Sequence, residues 1–281
     1  MKQPVRTQSI MFTLLGDDFY LKGIFKPVWI GTYINIFNEL GYSEKSTRLA
    51  LSRMCANGWL KRVKDGKKSY YFMAERCLKL LGESEEPVIL KYKQKEKWDQ
   101  KWCFFVYSIP KKKSKLSMEL RKGLTWLGFG SMSYGIWISP HKHKNALLRL
   151  VDQLGIKKFT ETFIADGRDL TEDRELAKKC WDLEKINAFY SSFIEEFSTR
   201  KLQLIEQYGD NIPDNICFKE KVKIVHQFRK FPFVDPYLPR ELWPEGWLAD
   251  KAIELYEEFR EMVVPGANRF LEYHLELKKE E

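Results

Sequence analysis

The chain has few of the residues that most often build reactive centres. Its 281 residues include only five cysteines and four histidines. The cysteines lie far apart, at positions 55, 77, 103, 180 and 217, and their spacing matches neither a disulfide framework nor a zinc site. We therefore expect reduced, mostly buried thiols in a cytoplasmic protein, with no bound metal and no cofactor.

Long apolar runs and nucleotide-binding motifs are absent as well. No uncharged apolar stretch approaches the roughly 20 residues of a membrane-spanning helix. The first six residues carry charge without the apolar segment that a signal peptide places behind it. Neither a G-x-x-x-x-G-K-[ST] loop nor a G-x-G-x-x-G turn in a strand–helix setting occurs. These absences argue against a membrane protein and against a nucleotide-dependent enzyme.

What the chain does have is an uneven excess of positive charge. The overall formal charge is +9. Residues 1–94 and 95–168 are strongly basic, whereas residues 169–281 carry a net negative charge. Such asymmetry indicates a part that faces nucleic acid joined to a part with another role. We predict three domains, at residues 1–86, 87–168 and 169–281.

The first domain contains a predicted helix-turn-helix. Residues 32–40 have helical apolar spacing, and Gly41 and Tyr42 interrupt the pattern. A second helix is predicted from Glu44, with Ser43 as its N-cap and Gly58 just past its end. An earlier helix is predicted over residues 8–15 and is expected to stop at Gly16.

The second of these helices has one polar, cationic face. Leu51, Thr47, Met54 and Cys55 share the face that we expect to be buried. The face predicted to lie in the major groove of DNA carries short polar and basic side chains, with Ala56 beside them. Its candidate DNA-binding residues are Lys45, Ser46, Arg48, Leu49, Ser52 and Arg53.

A basic β-hairpin follows. Residues 59–63 and 69–73 favour strands, and the Asp65-Gly66 pair between them is a strong hairpin signal. A helix-turn-helix followed by such a hairpin is typical of a winged helix, whose wing contacts phosphates. The candidate wing residues are Arg62, Lys64, Lys67 and Lys68.

The middle of the chain alternates between strand and helix patterns. Residues 102–109, 128–132, 135–138 and 158–165 favour strands, while residues 116–127 and 145–154 favour helices. The order βαββαβ predicts a ferredoxin-like domain. The lysines at positions 111–113 and 115 are compatible either with phosphate binding or with a solvated loop. His141 and His143 could be half of a metal site, although a basic turn explains them better.

The last part is predicted to be mainly helical. Helices are expected over residues 173–208, 219–228 and 248–263. The aromatic residues Phe189, Tyr190, Phe193 and Phe197 are interpreted as helix-packing core. Residues 235–247 contain closely spaced prolines and cannot form a regular helix. Cys217 and His226 could form a nucleophile pair, but such neighbours arise easily by chance.

Three stretches resemble the PaaX family of transcriptional repressors of aromatic-acid degradation operons. The first runs from Leu14-Leu15-Gly16-Asp17 through residues 48–54 to Asn57-Gly58-Trp59-Leu60 and Ser69-Tyr70-Tyr71. The second covers residues 98–140 and resembles the family's central domain. The third, D-P-x-L-P-x-x-L-x-P-x-x-W at residues 235–247, is the most specific and resembles the C-terminal signature of the family.

The resemblance implies a DNA-binding repressor of a phenylacetate-type operon that is relieved by an aryl acyl-CoA such as phenylacetyl-CoA. We expect a homodimer on double-stranded operator DNA, without enzymatic activity. One alternative is a metal-dependent nuclease, because the family's central domain is similar to small CRISPR-associated nucleases. Those enzymes place an acidic ligand at the end of the first strand, where this chain has Ser108. The other alternative is a DNA-bound adaptor without a small-molecule effector.

Overall fold

The computed structural model describes residues 5–82, 97–142 and 144–275. Antiparallel sheets of three and four strands occur together with helices, which confirms the predicted α+β class. Within these described ranges, no helix is both long and apolar enough to cross a membrane. The predicted domain boundary between residues 86 and 87 lies outside the described residues, and the division into three domains stays a prediction.

Contacts group the chain into two compact units. The first combines residues 1–87 with residues 194–229 and 254–281. The second combines residues 88–193 with residues 230–253. Each unit therefore contains segments that are far apart in sequence.

The described residues 5–82 of the first unit form four α-helices, a short strand and a hairpin. The elements are α1 (Thr7–Thr13), β1 (Val28–Trp29), α2 (Ile30–Glu39), α3 (Glu44–Ala56), β2 (Leu60–Asp65), β3 (Lys68–Met73) and α4 (Glu75–Gly82). The strands form an antiparallel sheet in the order β1-β3-β2. The core of the first unit is apolar and includes Met11, Phe37 and Leu51, which lie on α1, α2 and α3.

Helix α1 does not stop at Gly16, contrary to the prediction. It continues as a π-helical segment, Leu14–Tyr20. Gly16 accepts a hydrogen bond from the backbone N–H of Leu21, five residues later. The segment is anchored by Lys221, whose ammonium contacts the carboxylates of both Asp17 and Asp18. A contact so distant in sequence overrides the local tendency of glycine to end a helix.

The second unit contains a four-stranded antiparallel sheet in the order β5-β6-β4-β7. Two helices, α5 and α6, lie between its strands in the sequence, and Phe105, Leu120 and Val151 belong to one buried cluster. Every predicted strand and helix of this region is present within a few residues of its expected position. The elements are β4 (Lys101–Tyr107), α5 (Ser114–Trp126), β5 (Gly130–Ser133), β6 (Ile136–Ser139), α6 (Lys144–Leu154) and β7 (Thr160–Asp166).

The remaining helices differ from the prediction at their ends. They are α7 (Leu170–Cys180), α8 (Leu183–Tyr208), α9 (Asp214–Phe228) and α10 (Ala249–Leu275). The single helix predicted over residues 173–208 is interrupted at Trp181 and Asp182. The carboxylate of Asp182 accepts a hydrogen bond from the backbone N–H of Lys185, which is the geometry of a new helix start.

Helix α10 continues through Pro265, although the prediction ended it at Val263. Proline removes one backbone hydrogen bond from a helix, so packing contacts must stabilise the helix at this point. The residue after it, Gly266, allows close packing: a Cβ there would lie 2.6 Å from the sulfur of Cys217. Farther along, Phe270 stacks on Phe218 with ring centroids 4.6 Å apart.

The predictions for the aromatic stripe and the cysteines are confirmed. Tyr190, Phe193 and Phe197 are buried, and Phe189 is half-buried with its ring packed on Phe231. The rings of Tyr190 and Phe193 pack on Phe231, with centroids 5.1 and 5.0 Å apart respectively. All five cysteines are free thiols, and three of them are buried.

The proline-rich segment after α9 is held by specific polar contacts inside the second unit. The carboxylate of Asp235 accepts hydrogen bonds from the hydroxyl of Tyr190 and from the backbone N–H of Tyr237. Tyr237 has a positive φ of 56° and accepts a hydrogen bond at its carbonyl from His141, at 2.6 Å. His141 therefore has a structural partner, and His143 lies outside the described residues.

Candidate nucleic-acid interface

Helix α3 is fixed at both ends by the predicted residues. The hydroxyl oxygen of Ser43 accepts a hydrogen bond from the backbone N–H of Ser46 at 3.2 Å. Gly58 has a φ of 71°, which favours glycine, and Trp59 donates its backbone N–H to the carbonyl of Met54 at 2.8 Å. These caps define where the helix starts and ends.

One face of α3 packs into the core of the first unit. Thr47, Leu51 and Met54 are buried as predicted, whereas Cys55 is only half-buried. Ala50 is buried too, although its position was not assigned to this face. Burial raises the pKa of the Cys55 thiol, and the nearby guanidinium of Arg62 partly offsets that effect. Strand β2, which carries Arg62, packs against α3.

The opposite face of α3 presents most of the candidate residues to solvent. The exposed side chains are Lys45, Arg48, Leu49, Ser52 and Arg53. Arg48 pairs with Glu44 at 2.7 Å, so part of its charge is already balanced. Ser46 is half-buried, and its hydroxyl is hydrogen-bonded to that of Thr7 on α1. Its position suits helix packing better than contact with a ligand.

The hairpin places its candidate cations on an exposed ribbon. Strands β2 and β3 pair from Leu60–Met73 to Asp65–Lys68, so the turn consists of Gly66 and Lys67. Gly66 has a φ of 54°, as the first central residue of a tight hairpin turn requires. Arg62, Lys64, Lys67 and Lys68 are all exposed.

Two further cations near α3 were missed by the sequence reasoning. Arg76 donates to the carbonyl of Asn57 at 2.9 Å, and its guanidinium lies 4.1 Å from the ring centroid of Trp59. Lys61 is exposed on β2 beside Arg62. The charge of Lys61 was visible in the sequence, but the partner of Arg76, which lies 19 positions away, was not.

The charge of this surface is largely unbalanced. Over the described ranges, no carboxylate forms an ion pair with Lys45, Arg53 or the four cations of the hairpin. In those same parts of the chain, no group of three metal-ligating side chains is close enough to hold an ion. Chemically, the surface suits the binding of a polyanion.

Family models match three consecutive parts of the chain. Residues 6–77 match "PaaX-like protein", residues 95–177 match "PaaX protein central Cas2-like domain", and residues 181–273 match "PaaX-like protein C-terminal domain". The chain belongs to the PaaX family.

The comparison with curated proteins agrees with this assignment. The transcriptional repressor PaaX of Escherichia coli is 28% identical over 271 residues, which are 95% of this chain and 84% of that protein. Among solved structures, an uncharacterized protein from Mycobacterium tuberculosis has a TM-score of 0.55 at 19% identity. That match covers 94% of this chain and 98% of the other, and shows a shared fold. The protein is thus a PaaX-family regulator.

Proposed function

We propose that this PaaX-family protein is a cytoplasmic transcriptional repressor that binds double-stranded operator DNA through a winged helix-turn-helix. The observation that carries the proposal is the pairing of two exposed cationic elements, the outer face of α3 and the β2–β3 hairpin. The order of elements from α1 to β3 and the sheet order β1-β3-β2 support a winged helix. In this arrangement α3 reads base edges and the hairpin contacts phosphates.

The other parts of the proposal concern architecture and control. The strand order β5-β6-β4-β7 supports a ferredoxin-like middle domain, followed by a mainly helical C-terminal domain. The Escherichia coli relative supports repression as the activity. Control of a phenylacetate-type operon, relief by an aryl acyl-CoA, and a homodimeric state are extended from the family. We propose neither an enzymatic activity nor a cofactor for this protein.

Arg53 is the residue that best tests the reading face. A side chain that contacts a base edge contributes about 1–3 kcal/mol of discrimination. We expect Arg53→Ala to weaken binding to an operator selected from a random duplex pool and to relax preference at one base pair. Lys45→Ala should weaken it as well. Fluorescence anisotropy would measure both affinities.

The control for these variants is Lys251→Ala, an equal change of charge at an exposed position of α10. Melting curves of all variants should match that of the unmodified protein, since these side chains are exposed. If Arg53→Ala bound the selected operator as tightly as the control does, the assignment of the reading face would be wrong.

The effector is tested separately. Phenylacetyl-CoA should raise the melting temperature and release the operator, because a ligand that binds the folded protein stabilises it. Free coenzyme A is the control for binding through the nucleotide part alone. A protein that keeps its operator and its melting temperature with every aryl acyl-CoA would instead be an adaptor without a small-molecule effector.

A further inference from the structure

One end of the four-stranded sheet gathers three separate loops. Strand β4 ends at Tyr107, which is paired with Thr160 at the start of β7. Tyr107 donates its backbone N–H to the carbonyl of Gly135 in the β5–β6 turn, at 2.8 Å. The next residue, Ser108, donates its backbone N–H to the carbonyl of Phe159 at 2.9 Å. The loops after β4, between β5 and β6, and before β7 therefore meet here.

Five lysines project from two of these loops. Each loop contains a short 3₁₀ turn, Lys111–Lys113 in one and Lys157–Phe159 in the other. The ammonium groups of Lys113 and Lys158 both lie over the ring of Phe159, 5.3 and 5.2 Å from its centroid respectively. The five lysines, all exposed, are Lys111, Lys112, Lys113, Lys157 and Lys158. We call this group the basic end.

An arginine and an exposed aromatic ring extend the same surface. Arg121 on α5 donates to the hydroxyl of Tyr107 at 3.0 Å. Its guanidinium lies 5.6 Å from the ring centroid of Tyr134 in the β5–β6 turn. Tyr134 is 75% exposed. Cations interleaved with accessible rings are a common feature of nucleic-acid-binding surfaces.

The lysines of the basic end differ from other lysines of the same unit. Lys142 pairs with Asp99 and Lys178 with Glu175, each at 2.7 Å, and Lys101 pairs with Asp166 at 3.4 Å. For the part of the chain that is described, none of the five lysines has such a partner. The acid nearest to them in sequence, Glu161, lies on β7 opposite Val106.

We propose that the basic end binds the phosphodiester backbone of DNA, in addition to the contacts made by α3 and the hairpin. Several flexible point charges spread over loops suit repeated phosphates and not a single enclosed anion. The inference rests on the proposed function as a DNA-binding protein. Its consequence is that part of the affinity for DNA is independent of sequence and comes from the middle of the chain.

The test compares two triple variants with the same change of charge. Lys112→Gln, Lys113→Gln and Lys158→Gln are combined in the first. Lys101→Gln, Lys142→Gln and Lys178→Gln, whose lysines all have acidic partners, are combined in the control. Affinity is measured against salt concentration, on a short duplex limited to the selected operator and on one extended at both sides.

We expect the first variant to bind the extended duplex about tenfold or more weakly. Its slope of log affinity against log salt should become shallower by about 0.9 for each phosphate that the protein no longer neutralises. The control should keep the slope of the unmodified protein. Lys112 and Lys158 should also become protected from acetylation when the unmodified protein binds the extended duplex.

Unchanged slope and affinity in the first variant, with no protection of its lysines, would overturn the inference. The inference would also be overturned if the first variant bound DNA normally but lost a thermal shift that coenzyme A gives the unmodified protein. The basic end would then hold the phosphates of a small ligand. The proposed function fails in a different way, if the unmodified protein binds neither duplex. If Arg53→Ala weakened DNA binding and the first triple variant did not, the proposed function would hold and the basic end would have no part in it.

Discussion

At the scale of single residues, Lys221 on α9 is a charge held in a buried ion cluster. Its side chain is 2% exposed and lies 2.8 Å from Asp17, while Asp18, its other partner, is 1% exposed. Arg260 reaches Asp17 from α10 at 2.7 Å. Burial by itself would lower the pKa of Lys221, but the two carboxylates outweigh it and raise that pKa. Burial keeps the pKa of Asp18 above its ordinary value.

We predict that Lys221→Met destabilises the protein by about 3–5 kcal/mol, because it leaves buried carboxylates without their cation. Urea unfolding would measure the destabilisation. Lys223→Met is the control, since Lys223 lies on the same helix, is 60% exposed, and leaves Glu220 its contact with Arg200. Combining Lys221→Met with Asp18→Leu should recover much of the stability. An equal destabilisation in both single variants would contradict the prediction.

The same ion cluster predicts a dependence on pH. The folded-state pKa of Lys221 is raised above 10.5, so its contribution is complete below that pH. The contribution is lost as the pH rises through the folded-state pKa. Unfolding free energies measured up to strongly alkaline pH should therefore fall more steeply for the unmodified protein than for Lys221→Met with Asp18→Leu. Parallel curves would mean that Lys221 is not the titrating group.

At the scale of elements, local signals predicted what local contacts determine. Ser43 and Gly58 bound α3 because a cap is formed by residues a few positions apart. The hairpin was located by Asp65-Gly66. Its first strand extends two residues beyond the prediction and its second begins one residue earlier, which leaves Gly66 and Lys67 as the turn. The helix ends predicted at Gly16 and at Val263 were wrong. The contacts of Lys221 and Cys217 that stabilise those helices come from distant parts of the sequence.

The hairpin carries its own prediction. Changing Arg62, Lys64, Lys67 and Lys68 together to glutamine should weaken binding to all duplexes alike, because wing cations near phosphates release counterions on binding. The slope of log affinity against log salt should become shallower by roughly one for each phosphate that the hairpin no longer neutralises. The measurement is anisotropy against salt with the selected operator and with a scrambled duplex.

A suitable control changes four cations that already have acidic partners, namely Lys101, Lys142, Arg168 and Lys178. If the hairpin variant kept its slope but preferred a different operator sequence, the hairpin would read bases and not phosphates.

At the scale of the whole molecule, sequence reasoning could predict the order of elements but not which distant segments pack together. Within the first unit, Asp17 of the π-helical segment after α1 is joined to Lys221 of α9 and Arg260 of α10. No periodicity or motif links positions so far apart. The candidate reading face was predictable because it lies within one helix. Arg76 and the grouping of Lys113 with Lys158 depend on tertiary contacts and became visible only in the structure.

At the same scale, the residues at the two ends of β4 argue against the nuclease alternative. Cleavage of a phosphodiester assisted by a divalent metal needs carboxylates to hold the ion and balance developing charge. At the end of β4 stands the exposed hydroxyl of Ser108, followed by Ile109 and Pro110. Asp99, before the other end of this strand, pairs with Lys142, and the strand separates it from Ser108 by about 20 Å.

We therefore predict that the protein binds nucleic acid without cleaving it. Labelled single- and double-stranded RNA and DNA should stay intact when incubated with the purified protein and Mg²⁺ or Mn²⁺, while a mobility shift on duplex DNA persists. Ser108→Ala should bind as the unmodified protein does, because the substitution removes no positive charge. Cleavage that survives repurification, and that chelator or Ser108→Ala abolishes, would show instead that the middle of the chain is a working nuclease.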